Sequence, residues 1–181
     1  MTGFDRLDLL SARKALAVVF LVAGLTGLAA VDAWSSEKAP ASRPGSVVVV
    51  PFILNGTVDE DMTEAFVKKI SSDKAGWNVI DGATVAGKLP KGRKFGSGTD
   101  MKLLRKAAGE AGAEALIIGQ ASRYKFMDAP SVSLRVSVLT AGDGEEVYRE
   151  LTKASSWTSK GARNEAADDA AKKLIKSFKG E

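Results

Sequence analysis

The sequence predicts an α/β domain, a central mixed sheet with helices packed on it and an antiparallel hairpin at one edge, in the order β-α-β-α-β-β-β-α. Three observations predict it. The run Val47 to Val50, followed by Phe52-Ile-Leu54, is apolar without alternation, as strands buried on both faces are. Ser131 to Val138 alternates cleanly, with Val132, Leu134, Val136 and Val138 on one side, the pattern of a strand wet on its other face. Between and after these runs, apolar residues recur at helical spacing.

The first strand opens at Ser46 and ends near Pro51, which cannot donate to a ladder. Asn55-Gly56 is a turn. Thr57 with Glu60 matches a capping box, so the first helix is expected to open there. Its buried stripe is Val58, Met62, Ala65, Phe66 and Ile70. Asp59, Glu60 and Asp61 fall in its first turn and Lys68 and Lys69 near its last, as the helix dipole prefers. Trp77 to Asp81 is a second, short strand, and Gly82 to Gly98 is a loop rich in glycine and base. Thr99 and Asp100 begin a second helix, which buries Met101, Leu104, Ala107, Ala108 and Ala111 and stops at Gly112.

Ala115 to Ile118 is a third buried strand, continuing in more polar form from Ser122 to Lys125. The alternating strand, the turn Ala141-Gly-Asp-Gly144 and the return strand Glu146 to Trp157 form the edge hairpin. Ala166, Ala167, Ala170, Ala171, Leu174, Ile175 and Phe178 mark a closing amphipathic helix. Trp77 and Trp157 are expected in core or rim packing.

Ahead of this domain, residues 1–33 read as a secretory signal. Arg13-Lys14 precedes 17 uncharged positions from Ala15 to Val31, and small residues precede a cut after Ala33. The competing reading is an uncleaved inner-membrane anchor, for which that run is at the short end. Either reading places residues 34–181 outside the cytoplasm, in the periplasm. Residues 34–46 hold Pro40 and Pro44 without periodicity and read as a linker, leaving 47–181 as a single α/β domain.

The 181 residues contain neither cysteine nor histidine. Thiolate nucleophiles, cysteine-held metals, disulfides, His-based triads and lipidation of a mature N-terminal cysteine all go with them. No cofactor motif and no metal-ligand set stands out. Ser71-x-x-Lys74 has the spacing of a Ser–Lys hydrolase but falls at a helix end before Gly76, where polar residues are expected anyway. The reading is therefore non-enzymatic.

The candidate site is the basic loop, where Lys88, Lys91, Arg93 and Lys94 lie beside Gly92, Gly96 and Gly98 and lead into a helix start at Thr99. Bared backbone amides and a helix dipole suit an anion, whether a ligand, a polymer or a lipid headgroup. The bland alternative is a solvated loop whose charges only keep it soluble. The formal net charge of +4 is mild, and aromatics do not interleave with the basic run, so nucleic acid is not an expected partner.

The order of elements, with the residues carrying it, resembles a family of envelope accessory domains that includes CsgG, PelC, LpoB and the N-terminal domain of TolB. The marks are Val-Val-Val-Pro51-Phe52 closing the first strand with a helix after it, the strand at Val79-Ile80-Asp81, Ala113-Glu-Ala-Leu-Ile-Ile-Gly119, and the hairpin turn Gly142-Asp143-Gly144. The resemblance spans residues 46 to about 179. It implies a periplasmic module that docks onto envelope machinery for secretion, polysaccharide export or peptidoglycan synthesis, with an envelope protein complex or copies of itself as partners. Two departures matter. Many relatives are lipoproteins, which this chain is not expected to be, and its connection from Lys125 to Ser131 is too short for the membrane-inserting hairpins of the channel-forming members.

Overall fold

The computed structural model describes residues 43–179 apart from 74, 75 and 97; the signal or anchor and most of the linker lie outside the described residues. Among these, seven strands form one mixed sheet with four helices packed on it. In chain order the elements are β1 (Ser46–Val49), β2 (Ile53–Leu54), β3 (Thr57–Val58), α1 (Glu60–Ser71), β4 (Asn78–Ile80), α2 (Gly82–Ala86), α3 (Met101–Glu110), β5 (Ala115–Phe126), β6 (Ala129–Thr140), β7 (Glu146–Ser155) and α4 (Ser159–Lys179). The expected fold class holds. The four valines are buried, β1 lies between parallel neighbours β4 and β5, and β5, β6 and β7 run antiparallel to the far edge.

The sheet separates two cores. Val47, Val49, Ile117 and the even-numbered apolar residues of β6 pack with Met62, Phe66 and Ile70 of α1 and the alanine stripe of α4. Val48, Val50 and Leu116 point the other way, toward Val85 of α2 and Leu104, Ala107 and Ala108 of α3. An unalternating valine run is what a strand covered on both sides requires.

Three local expectations are corrected. Thr57 does not cap the first helix. Asn55 and Gly56, with φ of 51° and 84°, form a two-residue hairpin turn, and Thr57–Val58 pairs back on Ile53–Leu54. The cap is Asp59, whose carboxylate accepts the Met62 N–H at 3.0 Å, so Val58 is exposed rather than part of the buried stripe. The stretch after β4 is not all loop, since Asp81 caps the short helix α2. Asp100 alone, not Thr99, caps α3. That helix ends as expected at Gly112, φ 88°, where the Ala113 N–H reaches the Ala108 carbonyl at 2.9 Å.

Trp77 is buried against Phe178, with the Arg43 guanidinium 4.9 Å from its ring centroid. Trp157 is the opposite case: it is 98% exposed, against the expectation of packing. It follows the end of β7 and meets no helix face.

Candidate docking surface

β5 has 12 residues and β1 only four, so β5 outruns the parallel part of the sheet. Beyond Gly119 its hydrogen-bonding partners are β2 and β6. There α4 covers one face of β6 and β7, burying Val132, Leu134, Val136 and Ala154. The other face carries the odd-numbered residues of β6, those of β7 from Arg149 onward and the even-numbered residues of β5, in cross-strand files, and a bulge at Val138/Leu139 brings Glu146 onto it as well. Gln120, Arg135 and Leu151 form one file, and Ser122, Ser133 and Lys153 the next. Leu151 is 45% exposed, and Gln120, Ser122, Arg135 and Lys153 are exposed as well. A groove of about 330 Å³ crosses this face, lined by Ile118, Gln120, Arg135, Ser137, Leu139, Glu146 and Arg149. Arg149 is tied to Glu146 at 2.7 Å.

β7 borders this face and, among the described residues, pairs only with β6, so one side of a ten-residue strand has no strand neighbour there. On its helix-facing side, Glu150 takes an ion pair from Lys173 of α4 at 2.7 Å. Tyr148 lies against Phe178 there; burial, and secondarily the charge of Glu150, pushes its hydroxyl well above the ordinary tyrosine range, so it stays protonated. At the other end of β6, Met127 and Asp128 make the two-residue turn that joins it to β5, with φ of 49° and 62°. Phe126 and Met127 project there, 56% and 88% exposed.

Of the residues expected to form the anion site, Lys88, Lys91, Arg93 and Lys94 are all exposed on the segment joining α2 to α3. Leu89 and Phe95 pin that segment to the core, and Phe95 sits so close to Gly82 that a Cβ there would stand 2.7 Å from its ring. The Thr99 hydroxyl closes the loop by donating to the Lys94 carbonyl. The helix start itself is not open to an anion. The Asp100 carboxylate already accepts the Lys102 N–H at 2.7 Å and the Leu103 N–H at 3.3 Å, so the protein's own carboxylate fills the dipole site.

Sequence reasoning anticipated the wet side of β6 but missed the exposed tip and the exposure of Trp157. A file of serines, glutamine and cations on alternate positions reads only as the wet side of a strand, and exposure of Trp157 leaves no periodic trace. Ser71 ends α1, while Lys74, its counterpart in the hydrolase spacing, lies outside the described residues. Among the described residues no group of three acidic side chains could hold a metal ion, and no helix is long and apolar enough to cross a membrane.

No protein-family model matches the chain, and no curated protein sequence matches it significantly. Solved structures do. The chain is similar to a PelC dodecamer from Paraburkholderia phytofirmans, at 8% identity, TM-score 0.49, over 73% of this chain and 91% of that one. It is also similar to the LpoB C-terminal domain from Escherichia coli, at 16% identity, TM-score 0.47, over 67% and 92%. TolB from Acinetobacter baumannii matches at 12% identity, TM-score 0.46, over 79% of this chain and 30% of TolB.

Proposed function

We propose that this chain is a non-enzymatic accessory module of the cell envelope, held in the periplasm, that acts by docking onto a larger protein assembly through β7 and the uncovered face of β5–β6–β7. The observation that carries the reading is the free side of β7 next to that face. Unpaired backbone groups supply affinity to an added strand or a partner's edge, and Leu151 and the groove beside it supply side-chain selection. The sequence resemblance to envelope accessory domains supports the compartment and the class. Secretion, polysaccharide export and peptidoglycan synthesis are the machineries it names, and copies of the same chain are a further candidate partner.

The test is photocrosslinking in cells from a benzoyl-phenylalanine placed at residue 151, with residue 69 on the opposite layer as a control. A discrete adduct from 151 alone, abolished by Leu139→Arg on the same face without loss of melting temperature, supports the reading. Adducts of equal yield from both positions, or purified protein that turns over a substrate, would overturn it.

A second reading is binding of an anionic ligand or polymer through Lys88, Lys91, Arg93 and Lys94. The exposure of all four on a pinned loop favours it.

A further inference from the structure

The charge of this protein is concentrated in one layer. Residues 82–110, which comprise α2, the pinned loop and α3, contain seven lysines and arginines against two acids, Asp100 and Glu110, a surplus of five, whereas the whole chain has a surplus of four. The rest of the molecule is therefore net acidic by one.

Two of the seven cations are engaged. Arg105 donates to the Gly142 carbonyl, and Lys106 pairs with Glu110 at 3.9 Å. Asp100 is committed to capping α3. Lys88, Lys91, Arg93, Lys94 and Lys102 are exposed, and among the described residues none has an ion pair. They come from two different segments, do not line the groove on the uncovered sheet face, and are mostly lysine, a compact hydrated charge without a planar fork. Met101, 36% exposed in the first turn of α3, is the one large exposed apolar side chain among them.

We infer that this layer rests on a bilayer surface rich in anionic lipid headgroups. A small anion calls for convergent donors, and the helix start that could have supplied them is filled by Asp100. A spread of lysines matches instead an extended plane of negative charge, where each adds to attraction without a dedicated pocket. The apolar stem of Met101 suits the headgroup boundary. The inference rests on the second reading above, that the basic loop binds anions, and assigns that anion a source.

The test uses the full chain with vesicles of phosphatidylcholine alone or with about one-third phosphatidylglycerol. The quantity read is the ratio of binding to anionic over neutral vesicles, so apolar contributions from elsewhere in the chain cancel. The ratio should exceed one, fall at least about tenfold on Lys88/Lys91/Arg93/Lys94→Ala, and fall as salt rises. Arg135→Ala with Lys153→Ala, which removes cations from the uncovered sheet face, should leave it unchanged. A ratio near one overturns the inference. So does equal loss from the two variants. Binding to soluble dextran sulfate without preference for anionic vesicles would overturn it while leaving the second reading standing; binding to neither would end both.

Discussion

Gly119 of β5 lies directly beneath the ring of Phe52. A Cβ at residue 119 would stand 2.4 Å from Phe52 Cδ1 and 2.6 Å from Cγ. Phe52 is fully buried and meets Phe66 edge-on at 5.0 Å between centroids, so the ring has no room to retreat. Two short marks of the sequence, the Pro-Phe after the valines and the glycine after Ile-Ile, are thus one steric unit. Gly119→Ala should destabilise the fold by roughly 1–3 kcal/mol through overpacking. Thermal or urea unfolding reads it, and Phe52→Leu in the same chain should recover part of the loss. An unchanged midpoint for Gly119→Ala would contradict the packing.

Asp59 serves two helices at once. One carboxylate oxygen accepts the Met62 N–H, and the other takes Arg163 Nη1 of α4 at 2.8 Å. Asp59→Ala removes a cap, about 1 kcal/mol, and leaves Arg163 with only Asp61, at 3.6 Å. With Arg163 mostly buried, the total should be roughly 2–3 kcal/mol. Asp59→Asn, which retains a capping oxygen, should cost less. A double-mutant cycle with Arg163→Ala checks the coupling, and strict additivity would refute it.

The hairpin tip is built from residues that turn badly. Met127 and Asp128 both sit at positive φ, where asparagine and glycine are at ease. Met127→Asn with Asp128→Gly should raise stability by about 1 kcal/mol, read as a higher unfolding midpoint. A lower midpoint would mean that the exposed Met127 makes a stabilising contact.

Acid should loosen the α1–α4 layer. A hydrogen bond from Lys172, and then one from Lys69, hold the Asp168 carboxyl below the ordinary aspartate range. A carboxyl lowered in the folded state contributes stability throughout the ordinary range and above, and loses it as pH falls from that range through its own lowered value. Asp168→Asn should therefore melt below wild type at neutral pH, with the gap narrowing as pH falls below the ordinary aspartate range. A gap that persists in acid would assign the effect to packing instead.

The main frame was legible because burial leaves periodic traces. Val47–Val50, the alternation at 131–138 and the alanine stripe of α4 each encode the face they bury. The β2–β3 hairpin was not legible, since Thr57 and Glu60 fit a capping box as well as they fit a strand and a first turn. Burial of Asp59 by Arg163, 104 residues away, decides between them, and no local pattern carries that. The cations at 88–94 were legible as a cluster. Their presentation by Leu89 and Phe95, and the self-capping of α3, depend on the packed core.

The unequal lengths of β1 and β5 also order the assembly of the chain in time. β5, β6, β7 and α4 join neighbours in sequence, whereas Ser46 meets its partner Glu114 across 68 residues. Closing so long a loop is entropically slow, so pairing of the valine strand with β5 is expected after the local β5–β6–β7 hairpins form. In a chain emerging from its N-terminal end it is also the first of the strands to appear. Until its neighbours β4 and β5 have both emerged, four consecutive valines with no charge among them present an unpaired, aggregation-prone edge. The segment that forms the deepest part of the finished sheet is, from its emergence until β5 appears at Ala115, the one most in need of a chaperone.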